Sequence, residues 1–308
     1  MSLDYLTEEV ELEPVVLNSK GTAVPQIDKM LLIDADTVVY AVALTTEQEI
    51  ELLPKEFYSK EEWNTYMANP TYDEERGVVY EIDIELAYDK VLHRLEDMIL
   101  ATGATKGYEL HFTTGRDNFR YKLVDNYKGN RTGRAPLGNS ELKKMLCERL
   151  SNAYCWSNIE ADDIVCSKYD SEKHILCAVD KDVLLNLVGI HWNYYSSARY
   201  SIDPRWQTVD GETAMKQPYI QTLTGDRQDN IITGLTRVGA KTAEKLLKDC
   251  TTREELWDAV VAEYERQGKT EEDAVTIMRL VNMFQYNHKQ DSIELYMEEQ
   301  YPVGGRYD

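Results

Sequence analysis

The hydrophobic positions of the chain follow two rhythms. Lys29-Met-Leu-Leu-Ile-Asp34 is a short unbroken apolar run closed by a carboxylate, the pattern of a strand buried on both faces. Residues 108–112, 174–179 and 189–195 predict three further strands. Between them, Ile84, Leu86, Ala87, Val91, Leu95, Met98 and Ile99 recur at helical spacing. Strands alternating with helices predict an α/β fold, a mostly parallel sheet with helices on both faces. Residues 1–28 read as a polar arm, with prolines at 14 and 25. Residues 45–82 read as an acidic, aromatic-rich insertion broken by Pro54 and Pro70, and the chain after Gln217 as helical to its end. The expected organisation is therefore an arm (1–28), a core (29–216) and a helical part (217–308).

Charge changes the picture through its distribution. The net charge of the 308 residues is −21, which by itself argues against a polyanionic partner. Residues 1–100 hold 23 acidic and 7 basic residues, whereas residues 116–149 hold 9 basic and 4 acidic ones. That basic stretch contains Arg116, Arg120, Lys128 and Arg131, and is either one landing place for a polyanion or a solvated basic face. The five cysteines are odd in number and show no CxxC spacing, so free buried thiols are expected rather than a disulfide framework or a zinc site. No apolar run is long enough to span a bilayer, and residues 1–10 carry acids but no basic start, so a cytoplasmic protein without membrane association is expected.

Carboxylates gather in four separated places. Asp34 closes the first strand with Asp36 two residues on, and Asp180 and Asp182 repeat the arrangement after the third. Ends of parallel strands are where open α/β sheets place ligands. Glu160, Asp162 and Asp163 precede an apolar run and read as the first turn of a helix capped from Asn158, while Asp226 and Asp229 lie three apart. Each cluster alone has a plain explanation, since acids favour helix starts and turns. Brought together they would repel one another unless protonated or neutralised by hard divalent cations, Mg²⁺ or Mn²⁺, which bind oxygen and can hold a phosphodiester.

The order of the pieces carries a resemblance. Leu-Leu-Ile-Asp34-Ala-Asp, Asn118-Phe-Arg120 with Tyr127-Lys-Gly-Asn-Arg131, Glu160-Ala-Asp-Asp163, Val-Asp180-Lys-Asp182 and Gly225-Asp-Arg-Gln-Asp-Asn-Ile231 resemble the flap endonuclease family, in particular phage-type 5′→3′ exonucleases. The likeness runs from about residue 29 to about residue 250 and loosely into residues 278–287. It implies a PIN-like (resolvase-like) core, a helical arch over 120–149 and a C-terminal helical duplex-binding part. It implies two or more Mg²⁺ or Mn²⁺ ions on Asp34, Glu160, Asp162, Asp163, Asp180, Asp182, Asp226 and Asp229, with Asp36 behind them. Lys128 and Arg131 would serve catalysis at the scissile phosphate, and Arg116, Arg120 and Tyr127 would meet DNA. The turn from Gly234 to Gly239, with Lys241 and Lys245 on the helix that follows, resembles the family's duplex grip, often accompanied by a monovalent cation such as K⁺. The implied function is hydrolysis of DNA at 5′ ends, nicks and flaps, extending to RNA in RNA–DNA hybrids, in phage replication and host DNA breakdown within a bacterial cytoplasm, without a small-molecule cofactor.

One departure stands out. The family's aspartate after the second strand corresponds to Thr114, and the nearest acid is Asp117, so either Asp117 folds back or one ion site is short of a ligand. Two rival readings follow. A PIN-like ribonuclease would lack the duplex grip at 234–247, and a binding-only DNA paralogue would gain little from keeping the remaining carboxylates beside phosphate.

Overall fold

The computed structural model describes residues 24–131 and 133–297. The chain opens with β1 (Met30–Asp34) and α1 (Asp36–Thr46), followed by β2 (Gln48–Glu51), α2 (Lys60–Met67) and β3 (Val78–Glu81). Next come α3 (Ile84–Thr102), β4 (Tyr108–Thr113), α4 (Arg120–Leu123), α5 (Asn139–Arg149) and β5 (Ala153–Trp156). The second half of the sheet is laid down by α6 (Ala161–Lys168), β6 (His174–Ala178), α7 (Lys181–Leu184), β7 (Gly189–Asn193) and β8 (Arg205–Val209). Helices α8 (Gly211–Thr224), α9 (Ala240–Leu246), α10 (Arg253–Arg266) and α11 (Glu271–Val281) follow, then a small hairpin, β9 (Tyr286–Asn287) and β10 (Ser292–Ile293).

Six strands form one sheet in the order β5-β4-β1-β6-β7-β8, parallel except for the edge pair β7 and β8. The apolar run of β1 is central because both faces need covering. Leu31 and Ile33 pack against α1, α3 and α5, while Leu32 packs with α6, α7, Met283 and Phe284 on the other face. Asp83 caps α3 by accepting from Leu86 N, and the helix stops at Gly103 (φ +70°), where a side chain would collide with the Pro25 carbonyl. Helices α8 to α11 close around a separate cluster that includes Leu223, Ala243, Val260 and Met278.

The structure adds to the reading of the pattern in two places and corrects it in two. Strands β5 and β8 escape it because they are short edge strands with mostly exposed side chains, so no apolar run marks them. The region after 217 is not helical throughout, since β9 and β10 pair antiparallel there. The acidic insertion has definite structure, an antiparallel β2–β3 hairpin with α2 between its strands. The first turn of α6 is preceded by Glu160 at the cap position rather than Asn158, with no side-chain cap bond. Among the described residues, no helix is long and apolar enough to cross a membrane.

Candidate active site

Parallel strands β1, β4 and β6 end on the same edge of the sheet, and a cleft of about 1020 Å³ opens there. Asp34, Asp36, Glu160, Asp162, Asp180 and Asp229 line it, together with Arg116, Tyr127, Lys128, Arg131 and Lys143. Three of the four acidic stretches thus meet at the sheet edge, and the fourth, after α8, reaches the cleft through Asp229. Asp180 caps α7, accepting from Asp182 N at 2.8 Å. Asp226 fastens its own turn, accepting from Gln228 N at 2.6 Å. Asp182 and Asp226 lie outside the cleft lining, near enough for the charge of Asp226 to help raise Asp182.

The crowding shows in the protonation of these groups. Burial, then the negative charge of Asp36, raises Asp34 to about 7. Burial, then Asp180, raises Asp182 to about 8, and burial followed by Asp34 holds Asp162 well above the usual carboxylate range. Asp34 and Asp162, both buried and facing neighbouring negative charge, are each pushed toward holding a proton. Asp182 Oδ1 is buried without a hydrogen-bond partner. Such a set suits a hard divalent cation, whose charge would displace the protons and satisfy the orphaned oxygen. Among the described residues, however, no three His, Cys, Asp or Glu side chains already converge as a finished ion site.

The basic residues divide into three kinds. Lys128 and Arg131 face the carboxylates: Lys128 Nζ lies 2.5 Å from Glu160 Oε1 and 3.4 Å from Asp229 Oδ2, and Arg131 lies 2.5 Å from Asp229 Oδ1. Lys128 adopts a positive φ of 53° while its N–H donates to Asp229 O, so backbone as well as side chain is tied to the second acidic stretch. Burial alone would raise Glu160, but Lys128 and Arg120 outweigh it and keep Glu160 below the usual range. Arg116 is exposed at the cleft rim.

Arg120 is of another kind and corrects the expectation of a DNA contact. It is fully buried, pairs with both oxygens of Asp163 at 2.6 and 2.8 Å, and donates to the Leu280 carbonyl. Asp163 is equally buried and its oxygens are taken, so it is not placed to ligate an ion as the resemblance implied. Tyr127 is also withdrawn from DNA: 3% exposed, its hydroxyl donates toward Glu160 (2.9 Å) and Asp229 (3.1 Å). Asp117 does not fold back, since its exposed carboxylate pairs loosely with Lys122 at 3.5 Å, while the Thr114 hydroxyl donates to the Trp156 carbonyl.

Lys143 counts in the sequence only as one of the nine basic residues of 116–149 and not as a site residue. It lies beside the apolar positions Leu142 and Leu146 of α5, and a lysine flanking such a stripe was the available signal. Cys147 and Cys155 correct the free-thiol expectation, because they form a disulfide joining α5 to β5, whereas Cys166, Cys177 and Cys250 are free. Pair formation here depends on the fold, which spacing along the chain does not report. The turn at Gly234 (φ +72°) precedes α9, on which Lys241 and Lys245 are exposed, outside the cleft. Between α4 and α5 the expected arch has no further helix among its described residues.

No family model matches the sequence. Among solved structures, the chain is similar to the D15 flap endonuclease of bacteriophage T5 in a complex with DNA and metal ions. The identity is 14%, the overlap covers 84% of this chain and 90% of that one, and the TM-score is 0.55. It is also similar to the T5 5′-exonuclease with zinc bound, at 15% identity over 84% of this chain and 91% of that one, with a TM-score of 0.49. The first match establishes the fold as PIN-like α/β, as the ordered motifs implied.

Proposed function

We propose that this chain is a divalent-metal-dependent nuclease that hydrolyses DNA bearing 5′ ends, nicks or flaps. The observation that supports this most is the composition of the cleft. A floor of carboxylates at the carboxyl edge of a parallel sheet is faced by Lys128 and Arg131 from one segment, with Arg116 at the rim. A fold shared with a flap endonuclease supports the choice of reaction. Asp34, Asp162, Asp180, Asp182, Asp226 and Asp229 would hold Mg²⁺ or Mn²⁺, with Glu160 beside them. When bound, such ions supply positive charge to a phosphodiester and acidity to water.

The chain's own groups perform the remaining tasks. Arg116, exposed and without an ion pair among the described residues, is the first cation an incoming phosphate meets. Lys128 and Arg131 can exchange their carboxylate partners for phosphate oxygens once cations neutralise the floor. Tyr127 holds Glu160 and Asp229 in fixed register through one hydroxyl. Lys241, Lys245 and the Gly234–Gly239 turn would grip the duplex, with a monovalent cation such as K⁺ at the turn. Cleavage of RNA in hybrids and a role in phage replication within a bacterial cytoplasm belong to the same proposal.

The test is a digest of end-labelled nicked, flapped and RNA–DNA hybrid substrates with Mg²⁺, Mn²⁺ or chelator. Metal-dependent release of short products from the 5′ end is expected. Binding without cleavage under every metal condition would instead favour a binding-only paralogue.

A further inference from the structure

Lys143 belongs to neither the expected DNA contacts nor the expected ion ligands, yet it is among the most constrained cations of the molecule. Its side chain is 10% exposed, whereas that of Lys144, the next residue, is 77% exposed and pairs with Glu148 on its own helix. Hiding an ammonium requires partners that replace water. Lys143 Nζ finds two, Asp36 Oδ1 at 2.6 Å and the Thr113 carbonyl at 2.9 Å. Asp36 is also held by Thr113 N, at 3.0 and 3.2 Å from its two oxygens. The carboxylate that follows β1 is therefore bound to a cation and to the end of β4 simultaneously.

Thr113 extends the tie. Its hydroxyl accepts from Ala161 N at 2.9 Å, at the start of the helix that carries Asp162. One turn beyond Lys143, the Cys147–Cys155 disulfide fixes α5 to β5, and Cys155 Sγ lies 3.6 Å from the Lys143 carbonyl. The ammonium is thus held from both its tip and its backbone, in a corner of the cleft between β1 and β4. On the other side, around Asp180, Asp182 and Asp226, the ammonium paired with these acids among the described residues is Lys181, which is 65% exposed and 3.9 Å from Asp182.

We propose that Lys143 is a resident cation of the cleft: it holds Asp36 in place and withdraws it from the carboxylates available to a divalent ion. The chain then binds fewer ions than its carboxylates alone would accept, with the ammonium providing fixed positive charge at the β1–β4 corner. This rests on the reading that the cleft carboxylates hold divalent ions, and is independent of whether DNA is cut. Lys143 is a positioning residue, acting through Asp36 and Thr113.

The test counts ions. Mn²⁺ is titrated into the full chain, without DNA, and the free-ion electron paramagnetic resonance signal gives the number bound. Wild type, Lys143→Gln, Lys143→Arg and Asp36→Asn are compared after thermal melting has shown which variants fold. Lys143→Gln is expected to bind an additional ion through the released Asp36, Lys143→Arg to match wild type, and Asp36→Asn to lose none. An unchanged count in folded Lys143→Gln, or a lost ion in Asp36→Asn, overturns the proposal. If Lys143→Gln does not fold, the Asp36→Asn titration decides alone, because removal of a ligating carboxylate would shift Mn²⁺ binding to higher concentration or lose an ion, and either result overturns the proposal. Absence of Mn²⁺ binding in every variant overturns the metal reading itself and this inference with it.

Discussion

Arg120 and Asp163 face each other as a two-pronged ion pair, 2.6 and 2.8 Å, with neither side chain exposed. Arg120 also donates to the carbonyls of Leu280 and Asn282, so it joins the helix bearing the cleft acids to the C-terminal helices. Burial opposes its charge, but Asp163 and the neighbouring acids prevail and hold the guanidinium well above its ordinary range. Removing one partner leaves the other as an uncompensated buried charge. Arg120→Met or Asp163→Leu should each cost about 3–5 kcal/mol of stability. The double variant should recover part of that loss. Urea denaturation measures both, and stability near wild type in the single variants would refute the assignment.

Asp34 and Asp180 are expected to be indispensable for cleavage. Asp34→Asn and Asp180→Asn should each lower turnover by roughly 10²-fold or more while leaving DNA affinity unchanged or higher, as each removes negative charge facing phosphate. Single-turnover digestion and equilibrium binding separate the two effects. Asp117→Asn should leave the metal-activation curve where it is, because that carboxylate is exposed and points to Lys122. A shift to higher metal concentration would show that Asp117 reaches the ions after all.

Lys128 and Arg131 make contrasting predictions despite their shared partner Asp229. Lys128 is 14% exposed at its side chain and Arg131 57%. Lys128→Ala strips a buried partner from Glu160 and should reduce both melting temperature and turnover. Arg131→Ala should affect turnover and spare stability, because exposed ion pairs contribute only about 0–1 kcal/mol. Melting curves and kcat, measured on the same preparations, would contradict this if the two variants behaved alike.

The acids of the cleft also set a pH dependence for the metal-free protein. Asp34 is raised to about 7 and Asp182 to about 8, both first by burial. Unfolded aspartates titrate near about 4, so between that value and 8 the folded chain holds protons that the unfolded chain has released. Their contribution to stability is complete below the unfolded value and is lost as pH rises through the folded values. Without divalent ions the melting temperature should fall from pH 5 to pH 8. Saturating Mg²⁺ should raise it more at pH 8 than at pH 5, since the ion replaces protons only where they are otherwise lost. A metal effect independent of pH would exclude proton displacement from these sites.

Much of this protein is written locally in its chain. The run Leu31-Leu32-Ile33 specifies a doubly covered strand because no polar side chain interrupts it, and the spacing from Ile84 to Ile99 specifies α3 in the same way. The acids at Asp34, Asp162 and Asp180 are legible because strand ends and helix starts are marked in sequence, and parallel topology brings such positions to one edge. What the chain could not disclose is who pairs with whom. The nine basic residues of 116–149 read as one cationic patch, but folding gives partners to eight of them among the described residues. Arg134 goes to Glu47, Arg149 to Glu85, Lys143 to Asp36, and Arg120 into the core against Asp163. Lys122 and Lys144 find acids nearby, Asp117 and Glu148, while Lys128 and Arg131 reach Glu160 and Asp229. Charge is additive along a sequence, whereas attraction depends on distance and on exclusion of water, and both are fixed only when segments far apart in the chain are packed together. The same reason conceals the Cys147–Cys155 pair and separates Asp163 from the acids that face the cleft.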